Sequence, residues 1–249
     1  MKNVKCKMQN VKLIHFLFLI FCYFIAIPSC LNANPSIPER LTYSIYWIGI
    51  KVGTATMKVE DASEGINIIS QVNSDEWVSL FYPVENLVRS TIKPDGYPKN
   101  YRMKIREGRH RRDREVQFFT ESYKALYKDY IKNEKVEFDL QKQAFDPLSG
   151  LYELRKRDLM VGHTEYIDVF DSKRLWSVEV QVLRKERVKT PAGEFDTIVV
   201  KPILQSEGLF IRKGEIFIWL TDDSKKVPVM VKTKVKLGSI TATLTGGEF

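Results

Sequence analysis

The stretch Gly214-Glu-Ile-Phe-Ile-Trp-Leu-Thr-Asp-Asp-Ser-Lys-Lys-Val-Pro-Val-Met-Val-Lys-Thr-Lys-Val-Lys-Leu237 decides the fold, because it reads as a long β-hairpin. Successive strand residues point to opposite sides. Glu215 to Thr221 therefore places Ile216, Ile218 and Leu220 on one face and Phe217 and Trp219 on the other. A strand apolar on both faces needs cover on both sides. Asp222-Asp223-Ser224-Lys225 supplies turn chemistry. The returning arm sets Val227, Val229, Val231 and Val235 against Lys232, Lys234 and Lys236, so its far half is predicted to be wet on one side. Gly238 permits another reversal, after which Ile240, Ala242 and Leu244 alternate again.

The same alternation runs through the rest of the chain. Leu41, Tyr43, Ile45 and Trp47 alternate with Thr42, Ser44 and Tyr46, and Lys51 to Glu60 and Ile66 to Val72 follow as strands. Asp75 to Tyr82 breaks the pattern. Trp77, Leu80 and Phe81 stand at helical spacing behind a capping Ser74 or Asp75, and Pro83 ends the segment. Such a turn either plugs the end of a sheet or forms a lip over a pocket; the plug is the expectation. Further strands cover Glu85 to Lys93, Tyr97 to Arg106, Val116 to Phe119, Tyr123 to Ile131, Lys135 to Leu140, His163 to Phe170, Arg174 to Thr190 and Phe195 to Lys201. Pro202 and Gly208 frame a looser crossing. Strands at this spacing with turns between them indicate an antiparallel β meander.

One clear helix interrupts it, over about residues 146–158. Asp146 caps it, Pro147 suits its first position, and Leu148, Leu151, Tyr152 and Leu154 give it apolar cover. Arg155, Lys156 and Arg157 sit at its end, where the helix dipole favours cations. Gly150 costs about 1 kcal/mol inside a helix, which suggests close contact with a strand. The predicted fold is mainly β: a curved antiparallel sheet, half-barrel or open barrel, with this helix packed against it.

Residues 1–33 read as an export signal. Lys2, Lys5, Lys7 and Lys12 give a basic start, and Leu13 to Ile27 is an apolar run broken by His15. That run is shorter than the roughly 20 residues of a membrane-spanning helix; an uncleaved anchor is the alternative. Ile27-Pro28-Ser29-Cys30 resembles a lipoprotein box, with lipidation at Cys30; cleavage after Ala33 is the competing reading. The three cysteines, Cys6, Cys22 and Cys30, all lie in or beside this segment, so residues 34–249, read as a single β domain, contain neither disulfide nor thiolate chemistry. The formal charge of the chain is +8. No acid precedes Glu39, so losing the four signal lysines leaves the body only mildly basic, which points away from nucleic acid as a partner.

The segments Asp146-Pro-Leu-Ser-Gly-Leu-Tyr-Glu-Leu-Arg155, Thr190-Pro-Ala-Gly-Glu-Phe195, Ile218-Trp-Leu-Thr-Asp-Asp223, Val227-Pro228, Leu237-Gly-Ser-Ile240, Leu41-Thr-Tyr-Ser-Ile-Tyr-Trp47 and Gly53-Thr-Ala55 resemble the bacterial domain of unknown function 3108 family. The resemblance covers nearly the whole body and rests on structural punctuation. It implies an exported envelope protein with a curved antiparallel architecture, similar to half-barrel lipoprotein carriers or to a capsule-assembly lipoprotein. It carries over no functional residue.

Reactive groups are sparse. His110 and His163 are the body's histidines, too few for a His-rich metal site, which needs at least three ligands. There is no G-x-S-x-G elbow and no phosphate loop. Catalytic, metal and cofactor residues are therefore expected to be none. An enzyme acting on glycan or lipid would have to use Asp222, Asp223 and His163, but neighbouring strand-end residues diverge and Asp is a common turn residue. The leading expectation is a non-enzymatic protein of the periplasm, soluble or lipid-anchored to the outer membrane, whose curved sheet binds an apolar or lipid-like ligand. Trp47, Trp77, Phe81, Tyr101, Tyr152, Phe217 and Trp219 would line it, with Tyr43 beside them. Arg106, Arg109, Arg111, Arg112 and Arg114, around a hairpin tip at Gly108, form the densest charge cluster and are candidates for holding phosphate or carboxylate groups. The alternative is an assembly factor for envelope polysaccharide or lipopolysaccharide export, with envelope proteins as partners.

Overall fold

The computed structural model describes residues 37–171, 173–203, 215–235 and 237–249. The signal segment with Cys30 and the crossing at Gly208 lie outside the described residues. In chain order the elements are β1 (Glu39–Trp47), β2 (Ile50–Ala62), β3 (Gly65–Ser74), α1 (Glu76–Ser79), β4 (Val84–Ile92), β5 (Pro98–Glu107), β6 (His110–Phe119), β7 (Lys124–Asp129), β8 (Glu134–Asp139), α2 (Pro147–Arg155), β9 (Thr164–Asp171), β10 (Arg174–Thr190), β11 (Gly193–Ile203), β12 (Ile216–Thr221), β13 (Pro228–Lys234) and β14 (Ser239–Glu248). The strands form one antiparallel sheet in the order β8-β7-β6-β5-β4-β3-β2-β1-β14-β13-β12-β11-β10-β9. Every neighbour is a chain neighbour except β1 and β14, which pair from Arg40↔Glu248 to Trp47↔Ile240. The two edges, β8 and β9, are the strands on either side of α2 in the chain.

The deciding hairpin is observed as β12 and β13, paired from Ile216↔Thr233 to Leu220↔Pro228. Both faces of β12 are covered, as its composition requires. Ile218 and Leu220 pack with Val182, Ile198, Val200 and Leu154 of α2. Trp219 and Phe217 join a second cluster with Val199, Val188 and Phe195. The long β10–β11 hairpin supplies much of that cover. Its tip reaches β14, where the Ala192 amide donates to the Leu244 carbonyl at 3.2 Å. Phe195 and Phe249 lie 6.5 Å apart, centroid to centroid.

Helix α2 runs between the two edges. Asp146 caps it as expected: its Oδ1 accepts from the Leu148 and Ser149 amides at 2.8 and 3.0 Å, and Ser149 Oγ accepts from the Asp146 amide. The helix ends at Arg155, a few residues earlier than the sequence suggests. Gly150 lets it lie flat on β9, since a Cβ there would stand 3.3 Å from Val169 Cγ2 and 3.6 Å from Ile167 Cγ2. Just before the helix, Phe145 forms a parallel bridge with Val169. The edges are closed by side chains: Phe138 of β8 lies 5.4 Å from Phe170 of β9, and Lys173 pairs with Glu134 at 2.5 Å.

Among the described residues, the inside of the curve is lined by side chains packed on one another. Phe170 and Leu175 from one side pack against Val88, Tyr101, Met103, Val116 and Tyr127 from the other. Tyr152 of α2 packs on Val59, Ile68 and Ile92. The void bounded by Tyr101, Met103, Arg114, Val116 and Tyr127 measures about 10 Å³, room for at most one water.

Helix α1 does not plug the sheet. It is one turn long and buries no residue. Polar contacts hold it instead: Asp75 N donates to Val52 O at 2.9 Å, Ser74 and Ser79 share a 2.7 Å hydroxyl contact, and Val84 N donates to Ser74 Oγ at 2.9 Å. With those anchors on the sheet side, its apolar side chains are left facing out.

Candidate functional site

The expected ligand-binding aromatics separate into two sets. Tyr101, Tyr152 and Trp219 are core side chains, and Phe217 is partly buried beside Trp219. Tyr43 is also buried, its hydroxyl donating to the Pro228 carbonyl at 2.7 Å. Trp47, Trp77 and Phe81, by contrast, stand together at the exposed end of the sheet that carries the β1–β2, β3–β4, β5–β6 and β13–β14 connections.

Four of those loops touch in series. The Trp47 indole donates to Leu237 O at 2.9 Å and Ile48 N to Ser239 O at 3.3 Å, joining the β1–β2 tip to the β13–β14 tip. A side chain at Gly238 would collide with Ile48 Cγ1, so glycine is required there. Lys51 pairs with Asp75 at 2.9 Å, joining the β1–β2 tip to the α1 loop. Gly108 N donates to Pro83 O at 2.9 Å and the Tyr82 ring covers Gly108, joining the α1 loop to the β5–β6 tip. The result is a continuous rim. On it Ile48 is 61 % exposed, Trp77 50 %, Leu80 81 % and Phe81 84 %.

The arginine cluster flanks that rim and also divides. Arg106 pairs with Glu85 at 3.0 Å, and Arg114 with Asp129 at 3.1 Å. Arg111 donates to the Gly108 and His110 carbonyls of its own turn, and Arg112 Nε donates to His110 Nε2 at 2.7 Å. Among the described residues no carboxylate pairs with Arg109, Arg111 or Arg112. These three cations remain available to an outside anion.

A buried polar group lies elsewhere, under α2. Arg155 donates to Glu39 at 2.9 and 2.5 Å and to Lys225 O at 3.1 Å; Tyr152 donates to the same carboxylate at 2.5 Å. Burial is the largest influence on Arg155 and works against its charge, but the hydrogen bonds to Glu39 together with the electrostatic pull of Tyr152, Glu39 and Tyr43 exceed it and hold its pKa above the usual value. Burial drives the Tyr152 hydroxyl up as well. With both charges paired, saturated and out of solvent, the group fastens α2 to β1. Asp222 bonds to Lys185 at 2.7 Å, and Asp223 Oδ1 accepts from the Thr221 hydroxyl and the Lys225 and Lys226 amides, which is turn work. His163 is exposed between α2 and β9. An open depression of about 500 Å³, bordered by Lys93, Lys99, Asn100, Gln117 and Phe119, lies near the β5 start and the β6 end.

Residues 42–245 match DUF3108, described as protein of unknown function. The chain belongs to the DUF3108 family. Among solved structures it is similar to a β-barrel-like protein of domain of unknown function DUF1849 from Brucella abortus, with TM-score 0.60 and 14% identity over 87% of this chain and 99% of that one. That likeness supports the β architecture observed here. Weaker likenesses, at TM-scores 0.34 and 0.35 and 12% identity, are to a protein from Bacteroides fragilis assigned as exported with a YmcC-like fold and to one from Parabacteroides distasonis assigned as a lipoprotein. They cover 86% and 87% of this chain and 97% and 98% of theirs. No curated protein matches the sequence significantly. No helix among the described residues is long and apolar enough to cross a membrane.

The rim residues that sequence reasoning did not single out are Ile48 and Leu237; Leu80 reads with Trp77 and Phe81 as part of the helical turn. A signal for the first existed. Trp47-Ile48-Gly49-Ile50 is a hairpin tip made of apolar residues, where Asn, Asp and Gly are the usual choice.

Proposed function

We propose that this is a non-enzymatic protein of the cell envelope that works by binding at its loop rim. The carrying observation is the contrast between a filled inner face and apolar side chains displayed on touching loops at one end. A lipid-like or apolar partner is thereby engaged from outside the sheet, by Trp47, Trp77 and Phe81, and not sheltered within it. The engagement of Asp222 and Asp223 in ordinary structural contacts supports a role without bond chemistry. An assembly factor for polysaccharide or lipopolysaccharide export would use the same rim, with a protein as its partner.

Photo-crosslinking in envelope extracts tests the reading. A photoreactive residue at Phe81 or Leu80 is expected to capture a lipid or a protein, whereas one at Phe119, at the other end of the sheet, captures none. Equal labelling from both ends, or none from the rim, overturns it.

A further inference from the structure

Resting on that rim reading, we infer that the partner is the surface of an anionic lipid bilayer, entered by the rim's apolar tips and held by the adjacent arginines. Three observations favour a bilayer over a protein. First, the side chains project from separate hairpin tips and a one-turn helix. Protein hot spots instead sit in well-packed, desolvated pockets that their partner fills. A soft surface needs no matching pocket. Second, the composition suits the boundary between headgroups and acyl chains. Trp47 and Trp77 are amphipathic aromatics of the kind concentrated there, and Ile48, Leu80, Phe81 and Leu237 add exposed, purely apolar side chains beside them. Third, the charge is complementary. Arg109, Arg111 and Arg112 sit one loop away from Phe81, joined to it through the Tyr82–Gly108 contact, and no carboxylate among the described residues neutralises them. Glu76 is the exposed acid of α1, and Asp75, next to it, is already paired with Lys51. The chemistry recognised is therefore phosphate at the level of the headgroups with apolar chains beneath.

The test is flotation of the exported protein, carrying Cys30→Ser so that no lipid on that residue contributes, with vesicles of phosphatidylcholine alone or with phosphatidylglycerol added. Retention by the anionic vesicles is expected, weakening as salt rises. Leu80→Ser with Phe81→Ser is expected to lower affinity about tenfold or more at any salt. Arg109→Glu with Arg111→Glu is expected to lower it about tenfold or more at low salt and to abolish the preference for phosphatidylglycerol. All four positions are exposed, so folding should be untouched; unfolding curves that coincide with the parent's will verify this. Quenching of Trp47 and Trp77 by brominated lipid gives a reading confined to the rim, which Trp77→Phe reduces and Trp47→Phe with Trp77→Phe removes. Vesicle binding that survives the Leu80 and Phe81 changes, or that ignores phosphatidylglycerol, overturns the inference. If vesicles are ignored while Phe81 still cross-links a protein in envelope extracts, the bilayer falls and the rim stands. If both fail, both readings fall.

Discussion

Ile48 occupies a backbone conformation that β-branched residues avoid. Its φ is 50° and that of Gly49 is 81°, so both central residues of the two-residue β1–β2 loop lie in the left-handed region. Glycine meets that demand freely, and asparagine meets it better than most. For isoleucine the conformation costs about 1–2 kcal/mol. The side chain recovers little of this by burial, since its packing is against Gly238 and more than half of it is in solvent. On the proposed reading, that cost is offset by what Ile48 contacts outside the molecule. Ile48→Asn should therefore raise stability by about 0.5–1 kcal/mol, measured by urea unfolding, while vesicle retention drops severalfold. A lower unfolding midpoint would show that the Ile48–Gly238 contact is structural, and the strain would then need no functional reason.

Helix α2 shows at the element scale what a sequence reveals and what it hides. Its start is legible in Asp146-Pro147 and its sheet-facing contact in Gly150, because capping and close approach leave local marks. The burial of the cap is not legible. Ser90 of β4 donates to Asp146 Oδ2 at 2.6 Å across 56 residues of chain, and no basic side chain pairs with Asp146 among the described residues. Burial therefore raises the Asp146 pKa despite the hydrogen bonds from Ser90, Ser149 and Leu148. The folded state then holds this proton more tightly than the unfolded chain does. Its contribution to stability is full below the unfolded value of about 3.9 and is lost as pH rises through the folded value. Asp146→Asn keeps the carbonyl that caps the helix but cannot ionise. Urea titrations should show the variant gaining on the parent as pH rises from 4 to 7, whereas Asp146→Ala costs about 1–2 kcal/mol at pH 4 through the lost cap, a cost that shrinks by the same increment as pH rises. A gap that stays constant would mean the four donors offset burial and leave Asp146 with the same pKa folded and unfolded. Glu39 and Arg155 are hidden for the same reason as the cap's burial. An acid ahead of a strand and an arginine ending a helix both look like surface residues, and their pairing spans 116 residues. Helix α1 misleads in the opposite way. Trp77, Leu80 and Phe81 have the spacing of a buried face, but one turn fixed by Ser74, Ser79 and Asp75 cannot turn that face inward.

Across the whole molecule, the strands were individually readable from alternation, and β10 runs over the same residues, Arg174–Thr190, that the sequence suggests. The pairing of β1 with β14 was not, since contacts between the first and last strands leave no periodic trace. That pairing matters most. It joins the β8-to-β1 ladder to the β14-to-β9 ladder, so β14 is a central strand although it ends the chain. A terminal strand at an edge is often dispensable; one hydrogen-bonded on both sides is not. Deleting residues 239–249 would expose two new edges and remove Leu244 from the cluster around Tyr43 and Trp219. The expected product shows no cooperative unfolding transition and poorly dispersed amide resonances. A circular permutant separates loss of the strand from a change in the ends. Arg40 lies opposite Glu248, so a linker of about four to six residues can join the termini of the domain, with new ends opened at the exposed β7–β8 turn between Lys132 and Asn133. Every ladder is kept, and the permutant is expected to unfold in one transition within about 2 kcal/mol of the parent's stability. A truncated chain that still folds, or a permutant that does not, would show that β1 and β14 are held by their neighbours and not by each other.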